Sequence, residues 1–97
     1  MARLVVANPL AERNVTDIRP AERPTSLGGK TIGLYWNIKA GGDVALDRAE
    51  QLLRTRYPDA EFVRLLGSIG STVRHLTNAD SDRIATTCHA VVGTTGD

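Results

Sequence analysis

Cysteine is nearly missing from this chain: one residue, Cys88, in 97. A single thiol cannot build an internal disulfide framework, and it leaves too few thiolates for a cysteine-rich metal site. Any two-thiol chemistry therefore needs sulfur beyond these residues. Excess charge is missing as well. Twelve Lys and Arg against eleven Asp and Glu give a net charge of +1, and the arginines are scattered rather than striped, so the electrostatic footprint of nucleic-acid binding is absent. Long hydrophobic runs are lacking too. The apolar stretch Leu4 to Ala7 is cut by Asn8 and Pro9, too short for a signal-peptide core and far too short for a membrane span. A cytoplasmic protein without nucleic-acid or membrane partners is the expectation.

Cofactor signatures fail in turn. Pro24 to Thr31 ends in the Gly-Lys-Thr of a phosphate-binding loop, but Pro24 stands where the first glycine belongs and the segment precedes a strand instead of following one. Gly67 to Thr72 has no lysine, and no G-x-G-x-x-G occurs. His75 and His89 stand 14 residues apart with no cysteine or acidic cluster at ligand spacing, so they read as surface or strand-end histidines. No metal and no other cofactor is expected.

What is present is an ordinary small domain. Hydrophobic residues make up 41% and charged residues 24%, far from the composition of disorder. A chain of this size buries about two-thirds of its unfolded surface. Residues 1–29, interrupted by Pro9, Pro20, Pro24, Gly28 and Gly29, read as an arm and long loop, with Leu4 to Ala7 as a candidate peripheral strand. Residues 30–97 read as the domain proper. Within it, 31–37 is a nearly continuous β-branched and aromatic run, the pattern of a strand covered on both faces. Asp43 is placed to cap a helix over 44–57, in which Leu46, Ala49, Leu52, Leu53 and Tyr57 recur at helical spacing. A strand over 61–66 follows, then an unassigned Gly- and Ser-containing stretch with a candidate short turn of helix near 73–76. Asn78, Asp80 and Ser81 offer caps for a second helix that sets Ile84, Ala85 and Cys88 on one face, and 89–92 closes as a strand. Cys88 then behaves as a small buried hydrophobe. The order strand, helix, strand, helix, strand predicts an α/β fold: a three-layer-like βαβαβ unit with a small parallel sheet and right-handed crossovers.

In such sheets ligands gather at the carboxyl ends of the strands, above all where the strand order reverses. Two loops qualify: Asn37 to Gly42 after the first strand, and Gly93 to Asp97 after the last. If the two strands are neighbours, Asn37, Lys39 and Asp97 share one cleft.

The segment Leu27-Gly28-Gly29-Lys30-Thr31-Ile32-Gly33-Leu34-Tyr35-Trp36-Asn37-Ile38-Lys39, with Ala90-Val91-Val92-Gly93-Thr94-Thr95-Gly96-Asp97 further on, resembles the UGSC-motif family of predicted thiol or selenol oxidoreductases. The resemblance covers roughly residues 24 to 97. Family members carry L-x-G-K-x-x-G-L-x-x-N-x-K and then a strand entering Gly-Asp-Cys-Gly-Ser-Cys, or its selenocysteine form. The match here reaches Gly96 and Asp97. The resemblance implies selenocysteine or cysteine directly after Asp97, where UGA would read as a stop, so the chain is expected to be the N-terminal part of such an enzyme. It also implies a small-molecule or thiol/disulfide substrate, with the nucleophile outside these residues. Supporting roles fall to Asn37 and Lys39, which would orient or neutralise an anionic group. Gly93 and Gly96 would permit a tight loop, with Thr94 in the same set, and Asp97 would position the motif. The alternatives are a non-catalytic anion- or small-molecule-binding α/β domain and a fragment without function of its own. With Val91, Val92 and neighbouring strands incompletely covered, self-association into a homo-oligomer is expected.

Overall fold

The computed structural model describes residues 2–68 and 76–94. Its elements are β1 (Thr31–Trp36), α1 (Gly42–Arg56), β2 (Glu61–Leu65), α2 (Asn78–Thr87) and β3 (Ala90–Thr94). The three strands form one open parallel sheet in the order β2-β1-β3, as the alternating pattern of strands and helices anticipates. The run TIGLYW is apolar because β1 is the central strand. It pairs from Thr31↔Glu61 to Tyr35↔Leu65 on one side and from Ile32↔Ala90 to Trp36↔Thr94 on the other.

Strand alternation then divides the side chains between two faces. Ile32 and Leu34 point to the α1 face, where they meet Leu46 and, around them, Trp36, Tyr57, Phe62 and Val92. Ile32, Leu34 and Leu46 are the largest fully buried side chains. Gly33 and Tyr35 point to the opposite face with Leu65, Cys88 and Val91, and there Ile84 of α2 is buried. Arg64 anchors β2 to α1 through Asp47 at 2.7 Å and Glu50 at 3.6 Å.

Several boundaries differ from the sequence reading, each for a local reason. β1 stops at Trp36, and Asn37 begins the loop. β2 stops at Leu65, leaving Leu66 half exposed. β3 begins at Ala90 and runs through Gly93 and Thr94, because both still pair with β1, opposite Tyr35 and Trp36. Helix α1 begins one residue before Asp43. Its N-cap is Gly41, in the left-handed conformation at φ 91°, and no side chain caps it, so Asp43 sits inside the first turn as an acid facing the helix dipole. Leu52 is more than half exposed, since it lies off the stripe made by Leu46, Ala49 and Leu53.

Helix α2 is capped by Thr77, not by Asn78 or Ser81. Thr77 Oγ1 accepts the Asp80 N–H at 3.1 Å while the Asp80 carboxylate accepts the Thr77 N–H at 3.2 Å, a reciprocal capping box. Ala85 is exposed, and Cys88 lies just past the helix as its C-cap. Leu4 to Ala7 forms no strand; residues 2–24 carry no regular secondary structure and every one is exposed. The candidate turn near 73–76 lies outside the described residues except for Leu76, which is not helical.

Candidate functional site at the strand-order reversal

Adjacency of β1 and β3, with β2 on the far side of β1, puts the reversal of strand order between β1 and β3. Their carboxyl ends are Trp36 and Thr94, paired in register. The loop from Asn37 to Gly41 leaves this point and delivers the chain into α1.

That loop is tightly built. The Trp36 indole Nε1–H donates to the Lys39 carbonyl at 2.7 Å, and the Gly42 N–H donates to the same carbonyl at 3.2 Å. Asn37 Oδ1 accepts the Lys39 N–H at 3.4 Å, a long bond that closes an Asx-type turn. Between these two residues Ile38 holds φ 69°, the one non-glycine residue with positive φ among the described residues. A β-branched residue there stores strain, and such strain gathers at functional sites. From β3, the Thr94 hydroxyl donates to the Gly42 carbonyl at 2.9 Å, fastening the strand end to the helix start. Gly42 is required by this close approach. A Cβ there would stand 2.9 Å from Trp36 Cδ1 and 3.0 Å from Thr94 Oγ1, closer than packed atoms tolerate.

The structure thus brings Asn37, Lys39 and Thr94 to one end of the sheet, together with the first turn of α1, whose leading N–H groups lack intrahelical acceptors. Lys39 makes no ion pair among the described residues. Gly93 lies in β3 rather than in a loop, and a Cβ on it would meet nothing nearer than Tyr35 Cδ1 at 3.9 Å. Gly96 and Asp97 lie outside the described residues. The sequence reading missed Ile38 and Trp36. Nothing in the pattern of residue types marks a positive φ at an isoleucine, or tells an indole that packs from one that also ties down a loop.

The opposite end of the sheet holds His89 and Lys30. His89 Nδ1 accepts the Thr31 N–H at 3.0 Å, and the His89 N–H donates to the Thr31 carbonyl at 2.9 Å, so this histidine fastens a strand end as its position suggested. No cluster of three or more potential metal ligands occurs among the described residues, nor does any helix long and apolar enough to cross a membrane.

The fold and this loop define a parallel α/β domain with its candidate site at the carboxyl ends of adjacent strands, the arrangement that serves ligand binding and catalysis across this class. The chain belongs to the UGSC family, whose model matches residues 5–97. The match takes in most of the N-terminal arm as well as the sheet. No curated protein and no solved structure matches significantly.

Proposed function

We propose that this chain forms part of a thiol- or selenol-dependent oxidoreductase, with its reactive chalcogen carried at the carboxyl end of β3. The observation that supports it is the strand order: β1 and β3 lie side by side and parallel, so β3 ends, at Thr94, beside the Asn37–Gly41 loop and the start of α1. In the family pattern, selenocysteine or cysteine comes directly after the Gly-Asp that Gly96 and Asp97 match. A nucleophile there would meet the positive end of a helix dipole and the Lys39 ammonium, both of which favour an anion. In comparable cysteine sites the thiol pKa falls from about 8.5 into roughly the 3.5–7.5 range.

The reaction is an exchange. The chalcogenolate attacks one sulfur of a disulfide, forms a mixed disulfide or selenenylsulfide, and releases the other sulfur as a thiolate. The last cysteine of the motif then attacks the adduct, releasing the second thiol and leaving the motif oxidised by two electrons. A thiol donor must reduce it for the next turnover. Lys39 would hold an anionic part of substrate or leaving thiolate, while Asn37, Gly93, Thr94, Gly96 and Asp97 would shape the approach.

The test starts in the source DNA, where the reading frame past Asp97 should encode selenocysteine or cysteine followed by Gly, Ser and Cys. A chain extended through Cys-Gly-Ser-Cys should show one thiol alkylated rapidly below pH 7, and Lys39→Ala should move that ionisation upward. Unrelated sequence after Asp97, or two motif thiols of ordinary reactivity in the extended chain, would count against the proposal.

A further inference from the structure

We propose that Trp36 is a positioning residue for this site: its indole N–H, by holding the Lys39 carbonyl, keeps Ile38 at positive φ and so fixes Lys39 beside the end of β3. The inference rests on the functional reading above and names the residue that keeps the Lys39 charge in place.

The ring itself has little freedom. Strand alternation puts Trp36 on the α1 face of the sheet with Ile32 and Leu34, and it packs against that core. Its other side lies against the helix start, since a Cβ on Gly42 would stand 2.9 Å from Trp36 Cδ1 and 3.0 Å from Nε1. The indole is confined between core and helix. Its one polar group is a donor that accepts nothing, and a half-buried donor needs a partner. The partner is the Lys39 carbonyl at 2.7 Å, closer than the usual N–H···O separation of about 2.9 Å.

The shape of the loop follows from that bond. The Lys39 carbonyl also accepts the Gly42 N–H at 3.2 Å, so both of its lone pairs are engaged and its peptide plane is held from two sides. The Lys39 N–H is held by Asn37 Oδ1 at 3.4 Å. Between Asn37 and Lys39 sits Ile38 at φ 69°, and a β-branched residue leaves that region unless its surroundings over-determine it. The Asn37 bond is too long to do this alone. The indole bond is the short one, and the ring that makes it cannot retreat, so it is the contact that sustains the strain.

The consequence for the site is electrostatic. The influence of a charge falls with distance, so Lys39 acts on a neighbouring anion only while its loop keeps one conformation. The Thr94 hydroxyl, donating to the Gly42 carbonyl at 2.9 Å, ties the end of β3 to the same helix start. Phenylalanine at position 36 would fill the packing space without supplying the N–H. Ile38 would then relax, and Lys39 would leave its place.

The experiment has two arms. In the 97-residue chain, Trp36→Phe should abolish the strong NMR contact between the Ile38 amide proton and its own Hα that marks a positive φ, while the amides of β1 and β3 stay protected. Persistence of that contact would overturn the proposal. In the chain extended through Cys-Gly-Ser-Cys, the ionisation of the first motif thiol is read from alkylation across pH. Trp36→Phe should move it upward by no more than Lys39→Ala does, and should move it no further once Lys39 is already replaced. Ile38→Gly, at ease at positive φ, should return the ionisation of the Trp36→Phe chain toward that of the parent. General loosening of the fold predicts the opposite: Trp36→Phe would act equally with and without Lys39, and glycine would rescue nothing. Either result would overturn the proposal, as would an ionisation that answers to Lys39→Ala and not to Trp36→Phe. If Lys39→Ala itself has no effect, the functional reading fails at Lys39 and the positioning role falls with it, even where the Ile38 signal still answers to Trp36.

Discussion

At the scale of single residues, the contact between Gly33 and Cys88 sets the packing on one face of the central strand. Gly33 faces Leu65 and Cys88 so closely that a Cβ would stand 2.6 Å from Leu65 Cδ1 and 2.9 Å from Cys88 Sγ. Both contacting atoms belong to side chains, so they would have to turn away and disturb the packing between the sheet and α2. Gly33→Ala should therefore destabilise the fold by about 1–3 kcal/mol, measured as a shift of the denaturation midpoint at unchanged slope. Cys88 is the other side of that contact. Burial pushes its thiol pKa up, so at neutral pH it holds less thiolate than a free cysteine does, and thiolate is the reactive form. Alkylation should be slower in the folded chain than in the denatured one, and should accelerate only at more alkaline pH. Rapid labelling near neutrality would make Cys88 a nucleophile after all. The sign for stability follows: as pH rises past the ordinary thiol range the unfolded chain ionises first, and the native state loses ground.

At the scale of elements, the two helices begin by different means, and their caps can be compared. Thr77→Ala removes a capping hydroxyl and should cost about 1 kcal/mol. Asp43→Ala removes only a first-turn charge, worth about 0.3–1 kcal/mol and diminished by salt. Thermal melts at low and high salt separate the two. Asp80 adds a pH dependence. It is buried, and the Ser68 and Thr77 N–H groups, outweighing burial, hold its carboxyl well below the usual carboxylate range. A depressed carboxylate contributes stability above the unfolded pKa near 3.9 and loses it as pH falls through that value toward the native one. Asp80→Asn should flatten this acid-side decline. Strands and helix identities were legible in the sequence because β-branched runs and apolar periodicity are local. Helix starts were not, since a glycine cap at Gly41 depends on the packing of Trp36 and Thr94 around Gly42. The end of β3 was hidden for a related reason: Gly93 and Thr94 look like a turn until a partner strand continues beside them. At the site, Asn37 and Lys39 could be found as loop residues after a strand, whereas the strained Ile38 could not.

At the scale of the whole molecule, the sheet has three strands, and the chain carries an apolar segment, Leu4 to Val6, that the described core does not cover. A three-stranded sheet between two short helices has a modest margin of stability. Whatever binds only the folded form adds to that margin by mass action, and a second copy does so in proportion to its concentration. If the self-association expected from the sequence occurs, the melting temperature of the full chain should rise with protein concentration, by several degrees for about 1–2 kcal/mol of added stability in a domain of this size. A chain lacking residues 2–8 should melt at one temperature throughout if Leu4, Val5 and Val6, all exposed, carry the association. Association through the exposed Val91 and Leu52 would instead keep the concentration dependence in the shortened chain. A melt independent of concentration for both chains would count against self-association.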